Sequence, residues 1–149
     1  MANSYHQIYL HIVFSTLNRE RQIREPLKTE LLKYINKIIQ NNKSKPICLN
    51  AHVDHVHLLI GMNPSISISD LIRDIKSNSS KWINENRKLN GKFSWQSGYG
   101  CFSVSKSNLQ SVIKYIENQE EHHKLRSFKD EYLELLKKHG IEFNLDYVF

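Results

Sequence analysis

Residues 46–62 read PICLNAHVDHVHLLIGM, and this stretch decides the fold. Pro46 to Val53 and His55 to Met62 are two apolar, β-rich runs separated by about one residue, Asp54, which is the spacing of a tight antiparallel hairpin. Upstream, Tyr5 to Ser15 (YHQIYLHIVFS) alternates as a strand, with Ile8, Leu10, Ile12 and Phe14 on one face and Tyr9, His11 and Val13 on the other. Between the two lies a helical pattern that opens near Pro26 and carries Leu27, Leu31, Tyr34, Ile35, Ile38 and Ile39 to Asn41 and Asn42.

Downstream, Ser67 is placed to cap a helix whose apolar side is Leu71, Ile72, Ile75, Trp82 and Ile83 and whose other side is basic. Asn90 to Gly100 reads as a loop around Phe93, Trp95 and Tyr99, and Cys101 to Val104 reads as a fourth strand. Ser107 is the expected cap of a helix striped by Leu109, Val112, Ile113 and Ile116. A last helix, about Phe128 to His139, stops at Gly140 before an extended tail, Ile141 to Phe149. Strand, helix, strand, strand, helix, strand, then two helices is the split βαβ order. It predicts an α+β, ferredoxin-like antiparallel sheet with helices on one face plus C-terminal helices.

The 149 residues are enough for one core and too few for two, so residues 1–149 are expected to form a single domain. A hydrophobic share of 40% with five glycines and three prolines excludes a disordered or collagen-like chain. No apolar run reaches the roughly 18 to 20 residues of a bilayer span. The polar start, Met1 to Gln7, lacks a signal-peptide core, so the cytosol is the default address. Cys48 and Cys101 stand alone and read as small core fillers. The formal charge is +6, and the excess of Lys and Arg lies in residues 19–106. A basic surface suits nucleic acid, and equally a plain solvated face.

His55 and His57, two residues apart on a strand, project to the same side with Val56 on the other. Two imidazoles aimed at one spot make a metal-binding pair that leaves positions open for a third ligand and a substrate oxygen. The bland alternative is a pair of hydrogen-bonded histidines at a sheet edge. On the later helix Tyr115 and Gln119 are four residues apart and stack one above the other. A tyrosine there is also an ordinary half-buried core residue. Read together, the two groups suit phosphoryl transfer, in which a metal polarises the phosphate and a phenol attacks in line.

Four segments carry a resemblance: YHQIYLHIVFSTLNRER, AHVDHVHLLIGMNPSISISDLIRDIKSNSSKWINE, FSWQSGYGCFSVSKS and VIKYIENQEEHH. Together they resemble the HUH-superfamily single-tyrosine transposases of the insertion-sequence 200/605 kind and their repeat-associated relatives. The resemblance implies that His55 and His57 bind a divalent metal, magnesium or manganese, with Gln119 as a further ligand, and that Tyr115 is the nucleophile. It also implies a homodimer of ferredoxin-like domains in which the tyrosine helix of one subunit can complete the other's site. The implied reaction cuts and rejoins single-stranded DNA bearing short hairpins, through a 5′-phosphotyrosine and a free 3′-hydroxyl.

Arg19, Arg21 and Arg24 after the first strand, and Arg73, Lys76 and Lys81 on the second helix, are candidates for phosphate contacts. Trp95 and Tyr99 are candidates for stacking on unpaired bases, with core packing the competing role for Trp95 and the expected one for Trp82. Two rivals are a domesticated, non-catalytic binder of single-stranded or hairpin DNA and a metal-dependent hydrolase. Simple binding has no need of His55, His57, Tyr115 and Gln119 together. The hydrolase lacks its expected signatures, because His57 is followed by Leu58 and Leu59.

Overall fold

The computed structural model describes residues 3–124 and 126–149. Among them, four strands form one antiparallel sheet: β1 (Tyr9–Ser15), β2 (Lys45–His52), β3 (His55–Gly61) and β4 (Gly100–Val104), in the order β2-β3-β1-β4. Helices α1 (Leu27–Asn41) and α2 (Ile68–Glu85) supply the two crossovers. This is the ferredoxin-like arrangement expected from the element order.

Alternation along the central strands explains why both faces are covered. Leu10, Ile12 and Phe14 of β1 and Val56, Leu58 and Ile60 of β3 point into one core, against Leu31, Ile35, Ile39, Leu71, Ile75 and Ile83 of α1 and α2. The opposite face carries His11, Val13, His55 and His57. It is roofed by α3 (Leu109–Glu117), α4 (Gln119–His123) and α5 (Phe128–Lys138), with a second apolar cluster of Val13, Phe102, Phe128, Leu135 and Leu136.

β1 begins at Tyr9 rather than Tyr5: Gly61 and Val104, the last residues of its neighbours, pair with Tyr9, and one further bond, from Met62 N to Ile8 O at 2.8 Å, closes the ladder. The hairpin turn is Val53-Asp54, with His52 opposite His55. Its two carbonyls are tied down from outside: Ile23 N donates to Val53 O at 2.8 Å and Thr16 N to Asp54 O at 2.9 Å. Ser67 caps α2 as expected, its hydroxyl accepting from Asp70 N at 3.0 Å. Ser107 does not cap α3. It lies in a 3-10 turn, Lys106–Asn108, with its hydroxyl on that of Ser105, and the helix starts after Asn108. The helix expected to run through Tyr115 and Gln119 is broken at Asn118 (φ −95°, ψ 27°), which separates α3 from α4. The tail folds back instead of staying extended, and Phe143 and Val148 pack on the second cluster.

Both cysteines are free and half-buried, and burial pushes the Cys101 thiol up to about 11. Among the described residues no helix is long and apolar enough to cross a membrane.

Candidate active site

β3 holds His55 and His57 on the face under α3–α5, both with 0% exposure. Their outer ring nitrogens are already engaged. His55 Nδ1 lies 2.7 Å from Asp54 Oδ1, and His57 Nδ1 lies 2.8 Å from His11 Nε2 on β1. Both Nε2 atoms are thereby turned to one spot, filled by Glu131 of α5, whose Oε1 is 3.2 Å from His55 Nε2 and 3.1 Å from His57 Nε2. His123 of α4 completes the ring, with Nε2 3.2 Å from the same Glu131 oxygen. The other Glu131 oxygen accepts the hydroxyl of Tyr115.

Gln119 is fully buried, and the break at Asn118 explains how. Its Nε2 returns to Tyr115 O at 3.2 Å, which aims Oε1 at His55 Nε2 (3.3 Å) and His123 Nε2 (3.1 Å). α3 is itself docked by Asn50 of β2, whose Nδ2 donates to Ile116 O at 2.8 Å. One chain therefore brings His55, His57, Tyr115 and Gln119 together. It adds three residues that the sequence reading did not select: Glu131, His123 and His11.

The electrostatics follow from burial among these partners. Burial opposes charging of His55, but its bonds to Asp54 and Glu131 outweigh this and raise its pKa. His57 has no such surplus, and burial lowers it to about 4; His11 falls to about 3, through burial and then its neighbour His57. Burial works against the Glu131 carboxylate, yet hydrogen bonds from His123, His55 and His57 hold it far below the usual range. The Tyr115 phenol is pushed up by burial and then by the adjacent Glu131 charge, so it keeps its proton in this arrangement. The His122 ring lies tilted against the Tyr115 ring at 4.7 Å, and its buried Nε2 has no partner among the described residues.

The donor set suits a cation. With its raised pKa, His55 can donate Nδ1–H to Asp54 and Nε2–H to the oxygens of Glu131 and Gln119, and a cation bound at Nε2 would take the place of that second proton. His123 repeats the pattern, with Nδ1 on Arg126 O and Nε2 among the same oxygens. The ligand atoms of His55, His57 and Glu131 all lie within 4.8 Å of one another, so this His-His-Glu cluster can hold a metal ion.

The centre opens on a cleft of about 860 Å³ whose walls include His11, Ser103, Asn108, Tyr115, Arg126 and Lys138. Arg126 pairs with Glu134 at its rim.

A family model described as transposase, IS200-like, matches residues 4–119. The chain belongs to the IS200-like transposase family. A curated relative, the ISDra2 transposase TnpA of Deinococcus radiodurans, is 25% identical over 119 residues, covering 76% of this chain and 85% of that protein. Two solved structures share the fold. One is a candidate transposase from Deinococcus radiodurans, with TM-score 0.65 and 23% identity over 80% of this chain and 95% of that one. The other is a REP-associated tyrosine transposase bound to a REP hairpin, with TM-score 0.61 and 15% identity over 83% of this chain and 73% of that one. In this IS200-like chain His55, His57, Tyr115 and Gln119 fall inside the matched stretch, whereas His123 and Glu131 lie beyond it.

Of the basic residues expected to face DNA, Arg21, Arg24, Arg73 and Lys81 are exposed, Arg73 pairing with Asp70 and Lys81 with Glu85. Arg19 lies over the Phe149 ring. Lys76, another candidate for phosphate contacts, donates its ammonium to Gln96 O at 2.8 Å and Gly98 O at 2.6 Å. Trp95 is a packing residue, edge-on to Phe14 and Phe93 with Nε1 on Ser79 Oγ. Trp82 stacks on Tyr34, as expected of a core residue. Tyr99 remains on the surface.

Proposed function

We propose that this chain is a metal-dependent DNA strand transferase that cuts and rejoins single-stranded DNA with Tyr115 as the nucleophile. The observation that carries the reading is the meeting of the Tyr115 hydroxyl and the two imidazoles of β3 on one buried carboxylate, at the floor of an open cleft. His55 and His57, with Gln119 beside them, would hold a magnesium or manganese ion. When bound, that ion supplies charge neutralisation and polarisation at the scissile phosphate.

The chain's own residues do the rest. Asn50 and the packing of α3 orient the Tyr115 oxygen toward the cleft, where it attacks phosphorus in line with the departing 3′-oxygen. The P–O3′ bond breaks, a phosphotyrosyl bond to the 5′ side forms, and the phenol proton leaves along its existing hydrogen bond to Glu131. The departing 3′-oxygen takes a proton from solvent, balancing the one released by the phenol, and leaves as a hydroxyl; the reverse attack by such a hydroxyl restores the phosphodiester without an external energy source. Arg126 and Lys138 at the cleft and Arg21, Arg24, Arg73 and Lys81 elsewhere would meet phosphates.

The substrate is single-stranded DNA with hairpins, in keeping with the REP hairpin held by a structural neighbour. Residues 1–149 act as one domain. The chain works as a homodimer whose two centres handle two DNA ends, each tyrosine serving its own subunit, because Tyr115 reaches the histidine pair within one chain.

The test is incubation with labelled single-stranded DNA from the flanks of the chain's own gene, with and without chelator. A covalent protein–DNA adduct should form only with metal. Tyr115→Phe should lose the adduct and keep hairpin binding. An adduct that persists in Tyr115→Phe refutes the nucleophile, and hairpin binding with no adduct under any metal identifies a domesticated binding protein.

A further inference from the structure

Glu131 is the most expensive side chain in the molecule to explain. It sits with 0% exposure on the apolar stripe of α5, three residues after Phe128 and four before Leu135, both buried. A carboxylate there is costly unless its partners compensate it fully. An apolar residue at 131 would serve α5 packing alone, so the compensation has to come from the centre below.

Two independent geometric facts say what that compensation is. The first is spacing. Oxygen and nitrogen ligands held roughly 2.1 Å from a magnesium-sized ion at right angles lie about 3.0 Å apart. Glu131 Oε1 lies 3.2 Å from His55 Nε2 and 3.1 Å from His57 Nε2, a separation that serves hydrogen bonds in the metal-free state and equally neighbours around one ion, so a cation can replace the protons without moving the side chains. The second is the division of the carboxylate. Oε1 belongs to the imidazoles, while Oε2 takes the hydroxyl of Tyr115.

Charge points the same way. Two neutral imidazoles and the Gln119 amide offer no anionic donor, whereas magnesium and manganese favour carboxylate oxygen. Asp54 is turned outward onto His55 Nδ1, leaving Glu131 as the carboxylate facing the centre among the described residues.

We propose that Glu131 is a ligand of the metal centre and the positioning residue that holds Tyr115 against it. α5, which lies beyond the stretch matched by the family model, is then an integral part of this chain's active unit. The inference rests on the strand-transfer reading for what Tyr115 does, and on the geometry alone for the ligand.

Manganese binding, followed by electron paramagnetic resonance and calorimetry on the full chain, tests the ligand without any reaction. Affinity should fall in the order wild type, Glu131→Gln, Glu131→Ala, with at least a tenfold loss at the first step. Tyr115→Phe should stay within twofold of wild type, and His57→Ala should bind nothing. At saturating manganese, Glu131→Gln should still form the DNA adduct at least tenfold more slowly, with unchanged DNA affinity, as misplacement of the phenol requires. Glu131→Gln is isosteric, and its melting transition checks that it folds.

Wild-type manganese affinity in both Glu131 variants, with binding lost in His57→Ala, overturns the ligand. An adduct rate at saturating metal equal to wild type in Glu131→Gln overturns the positioning role. Manganese binding that depends on Glu131 in a protein that never forms an adduct upholds the ligand while the strand-transfer reading fails.

Discussion

His11 Nε2 lies 2.8 Å from His57 Nδ1, and this single contact fixes which face of the His57 ring is free to bind. Without a cation, His57 donates Nε2–H to Glu131 and accepts from His11 at Nδ1. A ligand at Nε2 requires the reverse, with Nδ1–H donated to His11. His11 serves both states because it is neutral, its pKa lowered to about 3, and so offers a donor or an acceptor as the tautomer demands.

Replacement of His11 by Phe keeps the aromatic packing against Phe102 and removes the tautomer partner. Manganese affinity should drop by about 10- to 100-fold, the usual cost of losing an outer hydrogen bond to a ligating histidine. A calorimetric titration at constant pH measures it. Affinity equal to wild type would show that His57 needs no help from β1.

Asp54 plays the matching part for His55. Burial lowers the pKa of His55, while the bonds to Asp54 and Glu131 raise it and prevail. In Asp54→Asn the first of the raising contributions is weakened, so the His55 titration followed by NMR should move to lower pH. A His55 that titrates as in wild type rules out Asp54 as the source.

Asn50→Ala removes the Nδ2 bond that ties Ile116 O of α3 to β2. The expected loss of stability is about 1 kcal/mol, that of one ordinary hydrogen bond. Its signature is a fall in the adduct rate without a change in DNA affinity, since Tyr115 is the next residue along. Equal losses of rate and affinity would mean that α3 is placed by something else.

The fold was legible because it rests on local patterns. Alternation in Tyr9–Ser15 and in the two hairpin strands, and the helical stripes of α1 and α2, each report which face is buried. His55 and His57 were legible for the same reason, since a strand sends alternate residues to one side. Glu131 and His11 were not, because their meaning lies in contacts across 74 and 46 residues. Glu131 did leave a trace: it falls on the stripe of Phe128, Tyr132, Leu135 and Leu136, where an acid is out of place. The surroundings of Lys76 were not legible either, because its helix face is basic in sequence and only the path of the 96–98 loop reveals the carbonyls it meets.

That contrast separates the cations of α2. Lys76→Met should increase hydrogen exchange at Gln96 to Tyr99 and leave the salt dependence of DNA binding alone. Arg73→Ala and Lys81→Ala should each reduce the salt slope by about one, if each neutralises a phosphate. A salt slope reduced by Lys76→Met and untouched by the other two would reverse the assignment.

The buried histidines also set the acid stability of the metal-free protein. His57 and His11 have folded pKa values lowered from 6.5 to about 4 and about 3. Groups depressed in this way contribute stability that is complete above the unfolded value and is lost as pH falls through the folded one. His55, raised above 6.5, has the opposite sign and offsets part of the loss around pH 6.5 and above, but by about pH 5 it carries its proton in both states and contributes nothing to the slope. Glu131 and Asp54, both depressed, add losses of the same sign only at lower pH, near and below the ordinary carboxylate range. With chelator present, the urea midpoint should therefore fall between about pH 6 and pH 4. Near pH 5 unfolding should take up about two protons from His11 and His57 together, with smaller additions from His52 and His139, whose values are also lowered by burial. A midpoint flat across that interval would mean that the rings of His11 and His57 are not sealed from water as their burial requires.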